Sequence, residues 1–230
     1  GVRIMNVNAD LSKRATLYTP DLSWVDSPLA GVSRRPLERI GGENADRATT
    51  LVRYAPGSNF RPHSHDLGEE LLVISGTFSD HSGEFSAGMY VRNPPGSEHQ
   101  PSSDPGCIIL VKLRQFDPGD QQFVRIDCNQ GSWQSSDQPG LEILPLLSYN
   151  REKVELQRWS SGARLNRHDH AAGEELYVLE GEFTDEHGHY PAGSWLRQPA
   201  GSNHRPYSNS GCTLYVKTGH LPPSNRGETS

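Results

Sequence analysis

The sequence predicts an all-β protein built from two tandem barrels of the jelly-roll kind. Three observations lead there. Glycine (23) and proline (17) are abundant among 230 residues, while hydrophobic residues make up only 33%; strands of five to seven residues joined by turns suit that composition better than long helices. A constant offset of 105 residues, from His63 to His168, also lays one half of the chain on the other without a gap. It pairs Arg53 with Arg158, Gly57 with Gly162, Phe78 and Asp80 with Phe183 and Asp185, and Lys112 with Lys217. Finally, the length gives two units of about 100–115 residues, each large enough for its own core.

Taken in order, residues 1–30 are expected to form a leading arm, with Trp24 as a packing anchor. The first unit is placed at 31–120. It has strands over 34–40 and 49–54, a polar stretch from Gly57 to Gly76, and a strand over 85–91. The turn Asn93-Pro94-Pro95-Gly96 and a closing strand over 107–113 complete it. Residues 121–139 read as a connection rich in Gln, Ser, Asp and Gly, although 122–127 could add a strand. The second unit is placed at 140–220, and 221–230 as a mobile tail. The best helical pattern, 141–151, is interrupted by Pro145. Residues 71–74 and 176–179 are apolar at consecutive positions, as in a strand buried on both faces.

Several function classes drop out. A net charge of −6 with no basic stripe argues against nucleic acid as a partner. Apolar runs such as 107–111 are too short to span a membrane. No charged n-region followed by an apolar segment opens the chain, so a cytoplasmic location is expected. Cys107, Cys128 and Cys212 are widely separated and include no Cys-x-x-Cys, which speaks against a disulfide framework or a thiolate zinc site. Cys107 and Cys212 occupy matching places and read as small buried hydrophobes opening a strand.

The chemistry lies in the histidines. Alternate side chains of a strand share a face, so His63 and His65 point the same way. Glu69 has the same parity beyond a short Asp-Leu-Gly bend, and His99 arrives from another strand after the Pro94-Pro95-Gly96 turn. The set recurs as His168, His170, Glu174 and His204. Three imidazoles and a carboxylate suit zinc, iron, nickel, copper or manganese, and leave one or two positions open. His81, His187, His189 and His220 are expected to face solvent from turns or the tail. Glu70 and Glu175 have the opposite parity and read as supporting or surface groups. Arg53, Arg158, Arg92 and Arg197 read as partners in outward-facing salt bridges. Tyr90, Trp195, Phe78 and Phe183 read as core.

These residues resemble the two motifs of the cupin superfamily. Gly57, His63, His65, Glu69 and Gly76 fit G-x5-H-x-H-x3–4-E-x6-G, as do Gly162, His168, His170, Glu174 and Gly181. Gly88, Pro94, Gly96 and His99 fit G-x5-P-x-G-x2-H-x3-N, as do Gly193, Pro199, Gly201 and His204, with Ser103 and Ser208 in place of the final Asn. The runs Gly68-Glu-Glu-Leu through Asp80 and Arg92-x-Pro-x-Gly-Ser-x-His99 are similar to the ChrR-type cupin family. That resemblance implies a bicupin with zinc in each barrel, and a sensory or regulatory role like the cupin half of an anti-sigma factor. Sigma-factor binding is not implied, because the helical domain and His-x3-Cys-x2-Cys motif that carry it are not found in this sequence. Related single-cupin enzymes imply the alternative, an Fe(II)-dependent dioxygenase cleaving a small diketone or hydroxyacetophenone. Either way a small-molecule ligand is expected, on a monomer or homodimer.

Overall fold

A computed structural model describes residues 5–223. The chain divides into two compact units: Ser23–Gly131 with the residues before Asp10, and Asp10–Leu22 with the residues after Gly131. In the first, the main antiparallel sheet runs Val124–Asp127, Met89–Asn93, Glu69–Asp80, Cys107–Leu113, Arg47–Tyr54, Val32–Ile40, Val25–Asp26. The second repeats it as Ala15–Tyr18, Ser194–Gln198, Glu174–Asp185, Cys212–Thr218, Glu152–Trp159, Leu141–Tyr149, Gln134–Ser135. Among the described residues helix is confined to three short 3-10 turns, and no helix is long and apolar enough to cross a membrane.

The two 12-residue strands shape each unit. Glu69–Asp80 pairs with Cys107–Leu113 through a register shift, and its far end then pairs with Gly83–Ser86; a bulge of this kind bends a strand so that it can serve two sheets. At the bend Gly76 has φ +71, and a Cβ there would lie 2.0 Å from the Gly106 carbonyl oxygen, so the close passage of the two backbones requires glycine. Gly181 repeats this against Gly211. Each interior is lined by inward-facing residues such as Leu71, Val73, Phe78 and Ile109 in the first unit, and Leu176, Val178, Phe183 and Leu214 in the second. All three cysteines are free and buried.

Several expectations change. Residues 141–151 form no helix: Leu141–Tyr149 is a strand, and Pro145 sits at a register shift, where a missing N–H does no harm. The leading arm is not a separate segment. Its Ala15–Tyr18 pairs with Ser194–Gln198 and belongs to the second unit, while Val124–Asp127 of the expected connection pairs with Met89–Asn93 in the first. Trp24 does anchor locally, with the guanidinium groups of Arg35 and Arg53 4.2 and 4.5 Å from its ring centre. Leu221, expected in a mobile tail, is 3% exposed and packs where a Cβ on Gly173 would stand; 224–230 lie outside the described residues.

Arg92, Arg197, Glu70 and Glu175 are not on outward faces but buried. Glu70 accepts hydrogen bonds from Arg92 and from the Tyr90 hydroxyl (2.8 Å), and Arg92 reaches Asp120 at 2.6 Å while lying over the Phe116 ring. In the second unit Glu175 accepts from Trp195 Nε1 at 3.0 Å and meets His220 Nε2 at 3.1 Å. His220 is therefore not solvent-facing. Arg197 donates to the carbonyls of Asp10 and Lys13. Parity correctly put these groups on the face opposite the ligands. The face is covered because a segment from outside the 105-residue repeat packs on it.

Candidate metal centre

In both units the strand ladder brings the histidines together. His63 is the direct cross-strand partner of His99, and His168 of His204. His65 and His170 follow two residues on, and a tight turn through Gly68 or Gly173, both with positive φ, delivers Glu69 or Glu174 at the head of the long strand. In the first unit the Nε2 atoms of His65 and His63 lie 2.9 and 3.1 Å from that of His99. In the second, His170 and His168 both lie 3.0 Å from His204.

The other ring nitrogens decide what those short separations mean. His63 Nδ1 faces the Arg61 carbonyl at 3.1 Å and His168 Nδ1 the Asn166 carbonyl at 3.0 Å, so each Nδ1 carries the proton and donates it. His204 Nδ1 stands 3.3 Å from the Asp185 carboxylate, and His99 Nδ1 is 3.6 Å from Asp80. With the proton on Nδ1, His63 and His168 turn their Nε2 lone pairs toward the neighbouring rings, the orientation in which a cation can be held. An octahedral ion with bonds of ~2.1 Å has ligand–ligand edges of about 3.0 Å, whereas a tetrahedral one has edges of about 3.4 Å. The His–His separations lie near the first value, whereas Glu174 Oε1 to His204 (3.5 Å) and Glu69 to His65 and His99 (3.6 Å) lie nearer the second.

The two centres are not equal. In the second, ligand atoms of His168, His170, Glu174 and His204 all lie within 4.8 Å of one another. Glu174 Oε2 is 3.1 Å from His170 Nε2, and its buried Oε1 has no hydrogen-bond partner. In the first, the corresponding cluster is His63, His65 and His99. Glu69 stands off at 3.6 Å from both His65 and His99, with Oε2 bonded by Asn93 at 3.0 Å. Gln198, one methylene longer than Asn93, instead places its amide 2.8 Å from His204 Nδ1 and leaves Glu174 free of it.

Electrostatics favours the ligand states. Burial, then the two neighbouring imidazoles, lowers the pKa of His170 to about 3, and burial lowers those of His65 and His168. Burial pushes Glu174 up to about 7, so without a cation its carboxylate is under strain. Asp80 is held at about 2 despite burial, by His99 and Ser82, and Asp185 is likewise lowered, chiefly by His204. The lowered imidazoles of His65, His168 and His170 are in the neutral form a divalent ion requires, whereas His99, despite burial, is raised by Asp80 and Glu69.

The sequence reading missed what lies behind the aspartates. Arg125 Nη2 is 4.0 Å from Asp80 and donates to Asn93 at 2.7 Å; Arg14 Nη2 is 3.8 Å from Asp185 and bonds the Tyr190 hydroxyl. Arg125 lies in the strand Val124–Asp127 and Arg14 directly precedes the strand Ala15–Tyr18, both outside the repeat, so the 105-residue offset does not align them. Asp185→Asn is expected to weaken the second centre's metal affinity by about 10–100-fold, read by competition with a chelator, because the amide no longer fixes the His204 proton. Unchanged affinity would show that Asp185 does not orient His204.

Beside the second centre is a cavity of about 180 Å³, lined by all four of its donors. Leu176, Phe183, Leu214 and Val216 form its apolar wall, and Glu155, Gln157 and Thr218 its polar one.

Comparison with known proteins fits this geometry. The family model for the ChrR Cupin-like domain matches residues 12–117 and again 121–222. The chain belongs to the ChrR Cupin-like family. It is a bicupin, and each family match starts in the arm whose strand completes the other unit's sheet. No curated protein matches it by sequence. Among solved structures the ChrR-like bicupin is similar to a candidate dioxygenase from Nostoc punctiforme (16% identity, TM-score 0.78, covering 91% of this chain and 83% of that one). It is also similar to a glyoxylate-induced protein assigned in Pseudomonas aeruginosa (15%, 0.72, 100% and 94%) and to oxalate decarboxylase from Lactobacillus farciminis (12%, 0.64, 96% and 90%). At these identities the likeness concerns the cupin fold.

Proposed function

We propose that the chain is a metal-dependent dioxygenase acting on a small chelating molecule in its second barrel. His168, His170, Glu174 and His204 would hold the ion there, and His63, His65 and His99 would hold one in the first barrel. The observation that carries this reading is the cavity of about 180 Å³ that opens directly onto the second set of donors. A purely structural zinc site is closed, whereas a reactive one keeps positions free.

Bound iron(II) would supply the one-electron chemistry that ground-state oxygen requires. The residues would do the rest. The carbonyl of Asn166 would hold the proton on His168 Nδ1, and Asp185 and Gln198 together would orient the His204 ring. Phe183, Leu214 and Val216 keep water from the substrate's apolar part. The described candidate dioxygenase from Nostoc punctiforme agrees with this class, and small β-diketones and hydroxyacetophenones are the substrates to try first.

The test is to identify the native metal, reload the protein anaerobically with Fe(II), and follow oxygen uptake over a panel of those compounds. Substrate-dependent uptake is expected. Tightly held zinc in both barrels, with no uptake after iron loading, would overturn the enzyme reading and favour a ChrR-like sensory role.

A further inference from the structure

The second barrel carries a carboxyl and an amide where the first carries a threonine and a valine. On the strand Glu152–Trp159, Glu155, Gln157 and Trp159 alternate and so share the inner face, and all three line the cavity at the metal donors. They are linked: Trp159 Nε1 donates to Gln157 Oε1 at 3.1 Å, and Gln157 Nε2 donates to Glu155 Oε1 at 3.2 Å. The row thus ends on a carboxyl group standing among Leu176, Leu214 and Val216. At the matching positions of the first barrel stand Thr50, Val52 and Tyr54, with Leu113 in place of Thr218. There Val52 belongs to the apolar core, and Tyr54, Phe60 and Leu113 pack against it.

Glu155 and Gln157 are half-buried and hydrogen-bonded along this row, and both still line the cavity at the metal donors. The first barrel shows that the fold closes without them. A ligand that returns a hydrogen bond would explain why they stand here. On the proposed reading of the second barrel as the substrate site, we infer that Glu155 and Gln157 select a small metal-chelating ligand bearing a hydroxyl group away from its chelating end. A hydroxyl suits Glu155 better than a cationic group would. Burial raises the Glu155 pKa, and a hydroxyl can donate to the carboxylate or accept from the protonated acid.

Binding of benzohydroxamate and of its 3-hydroxy and 4-hydroxy derivatives to the zinc-loaded full chain, followed by titration calorimetry, tests this without turnover. The better hydroxylated probe is expected to bind wild type about tenfold more tightly than the parent, as one added hydrogen bond predicts. That preference should fall to within about twofold in both Glu155→Leu and Glu155→Thr, with benzohydroxamate affinity and metal content kept. The threonine variant reproduces the first barrel's residue, and either variant suffices if the other fails to fold. His170→Ala should abolish binding of all three probes. A preference that survives both Glu155 substitutions, or no preference in wild type, overturns the assignment to Glu155 alone. Binding that persists in His170→Ala, or none in wild type carrying metal in both barrels, overturns the reading of the second barrel as the ligand site.

Discussion

His170→Ala is expected to lower metal content from about two ions per chain to about one, and to take substrate-dependent oxygen uptake to background. The size of the effect follows from geometry. His170 Nε2 stands 3.0 Å from His204 Nε2 and 3.1 Å from Glu174, so its removal leaves one face of the donor set open to water and Glu174 without its closest neighbour. Burial then favours the protonated acid, and a protonated carboxyl is a poor ligand. His65→Ala should also remove about one ion, yet lower uptake by less than tenfold, because the proposed substrate cavity lies at the second set of donors. Metal analysis by mass spectrometry with oxygen-electrode assays checks both. Equal loss of uptake in the two variants would refute the division of labour between barrels.

Arg92→Leu should give the largest loss of stability. Arg92, Glu70 and Asp120 are all at most 2% exposed, and the guanidinium is the shared partner of the two carboxylates. Removing one member of a buried charge cluster leaves the others uncompensated, at about 3–5 kcal/mol. For a unit of this size that shifts its melting transition by roughly 10–20 °C. The triple variant Arg92→Leu/Glu70→Leu/Asp120→Leu should recover most of the loss, since the cost lies in the stranded charges and not in the missing attraction. Scanning calorimetry that finds the single and triple variants equally destabilised would contradict that explanation.

The two barrels, and the clustering of His63, His65 and His99 and of His168, His170, Glu174 and His204, follow local rules that the sequence already carries. Strand parity put His63 with His65, and a proline–glycine turn returned His99. The standing of Glu69 could not be read that way. It depends on whether position 93 or 198 holds Asn or Gln, a one-methylene difference that redirects an amide from carboxylate to imidazole. Arg92 and His220 were misplaced for a related reason. Parity says which face a side chain takes but not what covers that face, and here the cover is chain from outside the repeat. Glu155 and Gln157 gave no motif at all; only their alternation beside Trp159, set against Thr50 and Val52, marks them.

The strand Ala15–Tyr18 has a consequence for how the chain is made. Its partners lie at Ser194–Gln198, and the contact that secures it, Arg197 to the Asp10 carbonyl, joins residues 187 apart. At ribosomal rates of about 5–20 residues per second, the early strand waits roughly ten to forty seconds before its partner exists. During that interval it is an unpaired edge, free to join a neighbouring nascent chain. Its short length and the arginine and lysine just before it, Lys13 and Arg14, are features that discourage such pairing. Expression yield should therefore respond to substitutions in this segment more than its small share of the folded sheet suggests.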